Sequence, residues 1–299
     1  MKFSDTRASQ EVDERVVLPG TVGLALAAIS VLLTLGSVVA ALLLFPEGTP
    51  VSADPGAAAI PVWVTILPPL AGILLTLVLP WRPPPMPALP LRLNRLLLTT
   101  GVLLALLATF TLAAILVPLV GEGYILGKFL LLMLLPAVLL LVVRNSVVIE
   151  TRPGMWRWWA PLVVVAVWFY LSQLAPWNPS YDPGEIDPVV LIVAALATAI
   201  TAGVGEELFF RRWLQTRMEA LFGAWAGIGV TSILFGLFHL GSHGTGAGWV
   251  DAARVIALQG LFGWFLGVMW WRYRNLLMII LVHLLVNGWG VIAYLVSQG

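Results

Sequence analysis

Long runs of apolar residues alternate with short polar links along almost the whole chain. Between Arg15 and Glu47 lie 31 residues without a charge. A helix needs about 20 mostly apolar residues to cross the hydrocarbon of a bilayer, so this run predicts a spanning helix over 18–45. It is too long for the core of a signal peptide, and the acidic segment before it lacks a basic leader, so the span is expected to be retained. Further runs at 58–80, 96–120, 123–143, 158–176, 188–220, 223–240, 252–271 and 275–296 each predict another. The expected fold is all-α, a polytopic transmembrane bundle of about nine spans. No internal repeat is visible in the sequence.

The links sort by charge. One set carries Lys2, Arg7 and Arg15; Arg82, Arg92 and Arg95; Arg144, Arg152 and Arg157; Arg211, Arg212 and Arg217; Arg272 and Arg274, fourteen of the 16 basic residues. The alternate links, at 46–57, 121–124, 177–187 and 241–251, carry Glu47, Asp54, Glu122, Asp182, Glu185, Asp187 and Asp251 and no Lys or Arg. Basic residues concentrate on the cytoplasmic side of membrane proteins. The alternation therefore predicts a multi-pass protein of the plasma (inner) membrane, with its N-terminus in the cytoplasm and its C-terminus outside. Trp81, Trp156, Trp158, Trp159 and Trp177 fall near span ends, where an interfacial aromatic belt sits. The Pro-rich stretch from Trp81 to Pro87 cannot be helical and reads as a cytoplasmic spacer. A turn-rich outer loop around 175–184 divides the chain. Five spans without evident chemistry lie in 1–187, and a four-span core in 188–299.

Composition narrows the function classes. Of 299 residues 60% are hydrophobic and only 10% charged, against about 25% charged in a soluble domain. Mean hydropathy is +0.97. A soluble enzyme, a disordered chain and a nucleic-acid binder are excluded. The net charge of +1 gives no reason to expect a polyanionic partner. With no Cys there is no disulfide, thiolate metal site or Cys nucleophile.

The candidate chemistry consists of ionisable groups inside apolar runs, which cost about 2.5–3.5 kcal/mol each at a helix centre on insertion scales and mark functional sites. The sixth run holds Glu206, Glu207 and Arg211; the seventh holds Phe235 and His239; the ninth holds His283 and Asn287. Glu206 and His239 each lie 16 residues from the turn at Phe222-Gly223, about 24 Å along their helices at 1.5 Å per residue. His283 and Asn287 lie about 12 and 18 Å into the last span, so the groups can meet near mid-membrane. This depth match requires one long sixth helix; a helix broken at Glu206 would separate Glu206 from His239. Glu207 and Arg211 are i and i+4, the spacing of a helical ion pair. His283 and Asn287 share that spacing, and Phe235 lies one turn before His239. His239 and His243 form a possible metal pair, but the glycines around His243 put it in an outer loop. Lys128 and Arg254, near outer span ends, read as snorkelling side chains.

These residues carry a resemblance. Glu-Glu-x-x-x-Arg at 206–211, Phe-x-x-x-His at 235–239 and His-x-x-x-Asn at 283–287, in order on core helices, resemble the CAAX protease and bacteriocin-processing (CPBP, or Abi) family of intramembrane endopeptidases, type II CAAX prenyl protease-like. The likeness covers about a third of the chain, 190–290. It implies hydrolysis of a peptide bond in a membrane-embedded or lipidated peptide, with the bilayer as the other partner and no nucleic acid. Glu206 would activate water, with His239 orienting it. His283 and Asn287 would donate to the oxyanion, and Glu207 would position Arg211. Metal-free hydrolysis is the favoured reading. The alternative is a zinc site of Glu206, His239 and His283 with Glu207 as base, metalloprotease-like; against it, the sequence lacks His-Glu-x-x-His. Two other classes stay open: a non-catalytic immunity or scaffold protein, and a proton-coupled transporter, which would also place Glu, His and Arg in the membrane.

Overall fold

The structure is a computed structural model that describes residues 20–50, 58–81, 93–117, 121–143 and 154–298. Lys2, Arg7 and Arg15, Asp54, the Pro-rich spacer with Arg82 and Arg92, and the link with Arg144 and Arg152 lie outside the described residues.

Each apolar run is helical. The helices are α1 (Gly20–Leu44), α2 (Val62–Val78), α3 (Leu93–Leu116), α4 (Gly121–Val142), α5 (156–174), α6 (Pro188–Phe222), α7 (Ala224–His243), α8 (Trp249–Tyr273) and α9 (Leu276–Ser297). Among the described residues seven of these are long and apolar enough to cross a membrane; α2 and α5 fall short of that standard. The chain is an integral membrane protein. Among the described residues the remaining regular structure is a two-residue antiparallel pairing of β1 (Thr49–Pro50) with β2 (Ala59–Ile60), which joins the ends of the link between α1 and α2.

Local chemistry fixes the helices that matter most. Asp187 caps α6 by accepting from the backbone N–H groups of Val189 and Val190, with Pro188 in the first turn. Helix α6 runs unbroken for 35 residues, so Glu206 lies inside a helix and not at the end of one. Gly223 then reverses the chain at φ +90°, a conformation that a side chain would strain. Asn275 caps α9 by accepting from the N–H of Met278. Between Ala199 and Gln215 the winding of α6 loosens to π-helical, and shorter π turns occur at Phe129–Leu134 in α4 and Ile256–Gly260 in α8. Such segments are rare and concentrate at functional sites.

Helices α6 to α9 form the centre, with α9 and α4 packed on the π stretch of α6, and α1 and α2 laid against α7 and α8. The buried clusters mix both halves of the chain. Leu103, Leu107 and Phe110 of α3 meet Phe209, Phe210 and Phe238. Val62 and Ile66 of α2 meet Leu258, Leu261 and Trp264. Val164 and Trp168 of α5 meet Phe265, Met269 and Val282. Between α7 and α8 the contact is made by small residues: a Cβ at Gly236 would lie 2.9 Å from the carbonyl oxygen of Val255, and one at Gly263 would lie 3.2 Å from Cα of Ser232.

Candidate active site

Helix α6 contributes two adjacent carboxylates, both sealed from solvent: Glu206 is 1% exposed and Glu207 0%. Glu207 pairs with Arg211 one turn on, with Nε 3.3 Å from Oε2, as the i,i+4 spacing predicts. The guanidinium is wholly buried and has no hydrogen bond of good geometry among the described residues. It lies over the ring of Phe235 at 4.9 Å and near that of Phe210 at 5.9 Å, where ring faces attract a cation.

The other oxygen of Glu207 meets α9. His283 donates from Nδ1 to Oε1 of Glu207 at 2.7 Å, while its Nε2 stands 3.8 Å from Oε2 of Glu206. The second distance is an ionic approach and too long for a hydrogen bond. One histidine on α9 thus bridges both carboxylates of α6. Phe262 and Phe235 wall the imidazole edge-on, at 5.6 and 6.2 Å.

His239 closes α7. Its Nδ1 donates to the carbonyl of Phe235 at 2.8 Å, and the two rings lie 4.8 Å apart. That hydrogen bond assigns the proton of the neutral ring to Nδ1 and leaves Nε2 as an acceptor. His239 is half-buried and interacts electrostatically with Glu206. The structure therefore brings Glu206, Glu207, Arg211, His239 and His283 together.

Asn287 differs from the rest. It follows His283 by one turn of α9, but its side chain is exposed and makes no hydrogen bond to the described residues.

Three readings from the sequence need correction. Lys128 does not snorkel. It lies 8% exposed, seven residues into α4, with Nζ 2.5 Å from Oε1 of Glu206. The contact is an ion pair by distance, without good hydrogen-bond angles. Arg254 does not snorkel either: it is buried and binds Oγ1 of Thr49 at 3.1 Å, Asp251 at 3.3 Å and the carbonyl of His243. His243 ends the last helical turn of α7, half-buried, 5.5 Å from His239 between ring centres. The sequence did carry a signal for Lys128, an ammonium inside an apolar run. Spacing along one helix does not show which helix packs against it, so the partner of that ammonium is not readable from the sequence.

The donor set also bears on a metal. Among the described residues no three His, Asp or Glu side chains are grouped as metal ligands would be. Glu206, which would have to be one, already has the Lys128 ammonium against it. The three groups do not fit a zinc ion as they stand.

Residues 188–289 match the model of a protein family described as type II CAAX prenyl endopeptidase Rce1-like. That segment spans α6 to α9 as far as Trp289 and contains Glu206, Glu207, Arg211, Phe235, His239, His283 and Asn287. Neither the curated proteins nor the solved structures contain a match to the chain.

Proposed function

We propose that this chain is an intramembrane endopeptidase that hydrolyses a peptide bond in a membrane-associated or lipidated peptide, with Glu206 as the base that activates water. The observation that carries the reading is the buried meeting of Glu206, Glu207, Arg211 and His283, with His239 beside them, inside the segment that matches a CAAX-type protease domain.

The chemistry follows from the polar atoms left over once the structural bonds are made. His239 has spent Nδ1 on a backbone carbonyl, so Nε2 accepts a hydrogen from water and orients it toward Glu206. Oε2 of Glu206 takes the other proton as the water oxygen attacks the peptide carbonyl. Asn287 donates its side-chain amide to the oxyanion that forms. His283 donates there from Nε2, which requires the ring to carry both protons, since Nδ1–H is held by Glu207. Fixed donors at low dielectric are worth several kcal/mol to such a transition state. The proton on Glu206 then passes to the leaving amine, the C–N bond breaks and the carboxylate is restored. Glu207 and Arg211 touch no reacting atom; they hold His283 and the helix. The peptide must be extended at the scissile bond, because a helix occupies its own amides. No metal takes part in this scheme.

Purified protein in lipid nanodiscs should cleave an internally quenched peptide bearing an S-prenylated cysteine. Glu206→Gln should abolish turnover while the protein remains folded, and turnover should survive exhaustive chelation with a zinc-selective reagent. Retained cleavage by Glu206→Gln would refute the base assignment. Loss on chelation with recovery on adding zinc would refute the metal-free scheme.

A further inference from the structure

Lys128 stands apart from everything assigned so far. It comes from α4, outside residues 188–289, and the motifs that carry the family likeness do not include it. A lysine ammonium removed from water and left unpaired is expensive to hold. Two rings flank this one, Tyr124 at 5.1 Å and Phe238 at 5.4 Å. The one carboxylate that it meets among the described residues is Glu206.

The charges around the site explain the pairing. Two carboxylates, Glu206 and Glu207, face two permanent cations, Arg211 and Lys128. Arg211 contacts Glu207, so Lys128 is the fixed cation left for Glu206. His239, His283 and Tyr124 are the other titratable groups around that carboxylate. A second contact, one residue away, sets the register of the two helices. Met133 of α4 abuts Gly205, where a Cβ would come within 2.6 Å of its sulfur. The π turn Phe129–Leu134, which starts directly after Lys128, packs on the π stretch that holds Glu206.

We propose that Lys128 is a positioning residue of the reaction: its ammonium anchors Oε1 of Glu206, so that Oε2 is the oxygen turned toward His283 and toward the water. The two oxygens are then differentiated by two helices, α4 holding one and α9 facing the other. The inference rests on the reading of Glu206 as the base. It makes the site a product of both halves of the chain, with one functional group supplied from outside the family-like segment.

The test uses the full chain as wild type, Lys128→Met, Lys128→Arg, Glu206→Gln and the double variant Lys128→Met with Glu206→Gln. Cleavage of the prenylated peptide and the thermal midpoint are measured for each. Misplacing a reacting group by about 1 Å costs about 100-fold, so kcat of Lys128→Met should fall about 10- to 100-fold with KM little changed. Lys128→Arg should recover most of that loss, because it restores the charge. Each single variant should melt lower than wild type, and the double variant should melt above Lys128→Met, because it no longer buries an unpaired charge. Wild-type kcat in Lys128→Met would overturn the inference, as would an Arg variant no better than Met. An inert wild type, or an active Glu206→Gln, sinks the peptidase reading instead. The melting cycle then decides the ion pair by itself, and strictly additive shifts would overturn it.

Discussion

His283 has to serve two carboxylates with one ring, and the division is set by which nitrogen each of them meets. Nδ1–H belongs to Glu207 at 2.7 Å, so only Nε2 remains for the reacting side. Glu207 is thereby committed twice, to His283 and to Arg211, and this separates its role from that of Glu206. Glu207→Gln leaves the wholly buried guanidinium of Arg211 without its counter-charge. Removing one partner of a buried ion pair costs about 3–5 kcal/mol. Glu207→Gln is therefore expected to lower the thermal midpoint more than Glu206→Gln does, because Lys128 sits on a long flexible stem and can withdraw. Differential scanning fluorimetry on the two purified variants makes the comparison; the reverse order would show that Arg211 is held chiefly by the rings of Phe235 and Phe210. At this scale the sequence was informative. A carboxylate or imidazole inside an apolar run stands out, and the i,i+4 pair of Glu207 with Arg211 could be read directly. The difference between His283 and Asn287 could not, because residues one turn apart on a helix can still differ in burial when neighbours cover only part of that face.

Among the elements, the spans were legible because a bilayer sets their length. The reversal at Gly223 was legible because glycine marks such turns. The π winding of α6 between Ala199 and Gln215 was not, since nothing in the apolar pattern distinguishes it from an α-helix. Nor could spacing along one helix reveal that α4 lies against α6. Close approach between helices is testable with a single methyl group. At Gly236 an added Cβ meets backbone atoms of α8, the Val255 carbonyl oxygen at 2.9 Å and Cα of Ile256 at 3.1 Å. At Gly205 it meets the sulfur end of Met133, a flexible side chain, at 2.6 Å. Overpacking against rigid neighbours costs about 1–3 kcal/mol, whereas methionine adapts. Gly236→Ala should lower the thermal midpoint clearly and Gly205→Ala much less, although the approach is tighter at Gly205. Equal losses would mean that α4 is as rigid there as α8.

For the whole molecule, the charge pattern of the links predicts an orientation. A reporter fused after Gly299 should read as non-cytoplasmic, and one placed within 83–91 as cytoplasmic; the opposite pair of signals would overturn it. The buried clusters join α2, α3 and α5 to α6–α9. In lipid this joining depends on van der Waals fit, because the surrounding tails are as apolar as the side chains. The placement of charge in the site has an electrical consequence. With two carboxylates against one guanidinium, one ammonium and the doubly protonated ring of His283 that the scheme requires, the cluster keeps its charges in place, and its proton transfers run only between Glu206, the water and the leaving amine. A membrane potential does work of about 2.3 kcal/mol per elementary charge moved across it per 100 mV, and a reaction whose protons pass only between neighbouring groups at one depth feels almost none of it. A peptidase built this way should turn over at the same rate in proteoliposomes whether or not a potassium-diffusion potential is imposed. A proton-coupled carrier using the same residues would have to move charge through that field, and its rate would follow the voltage.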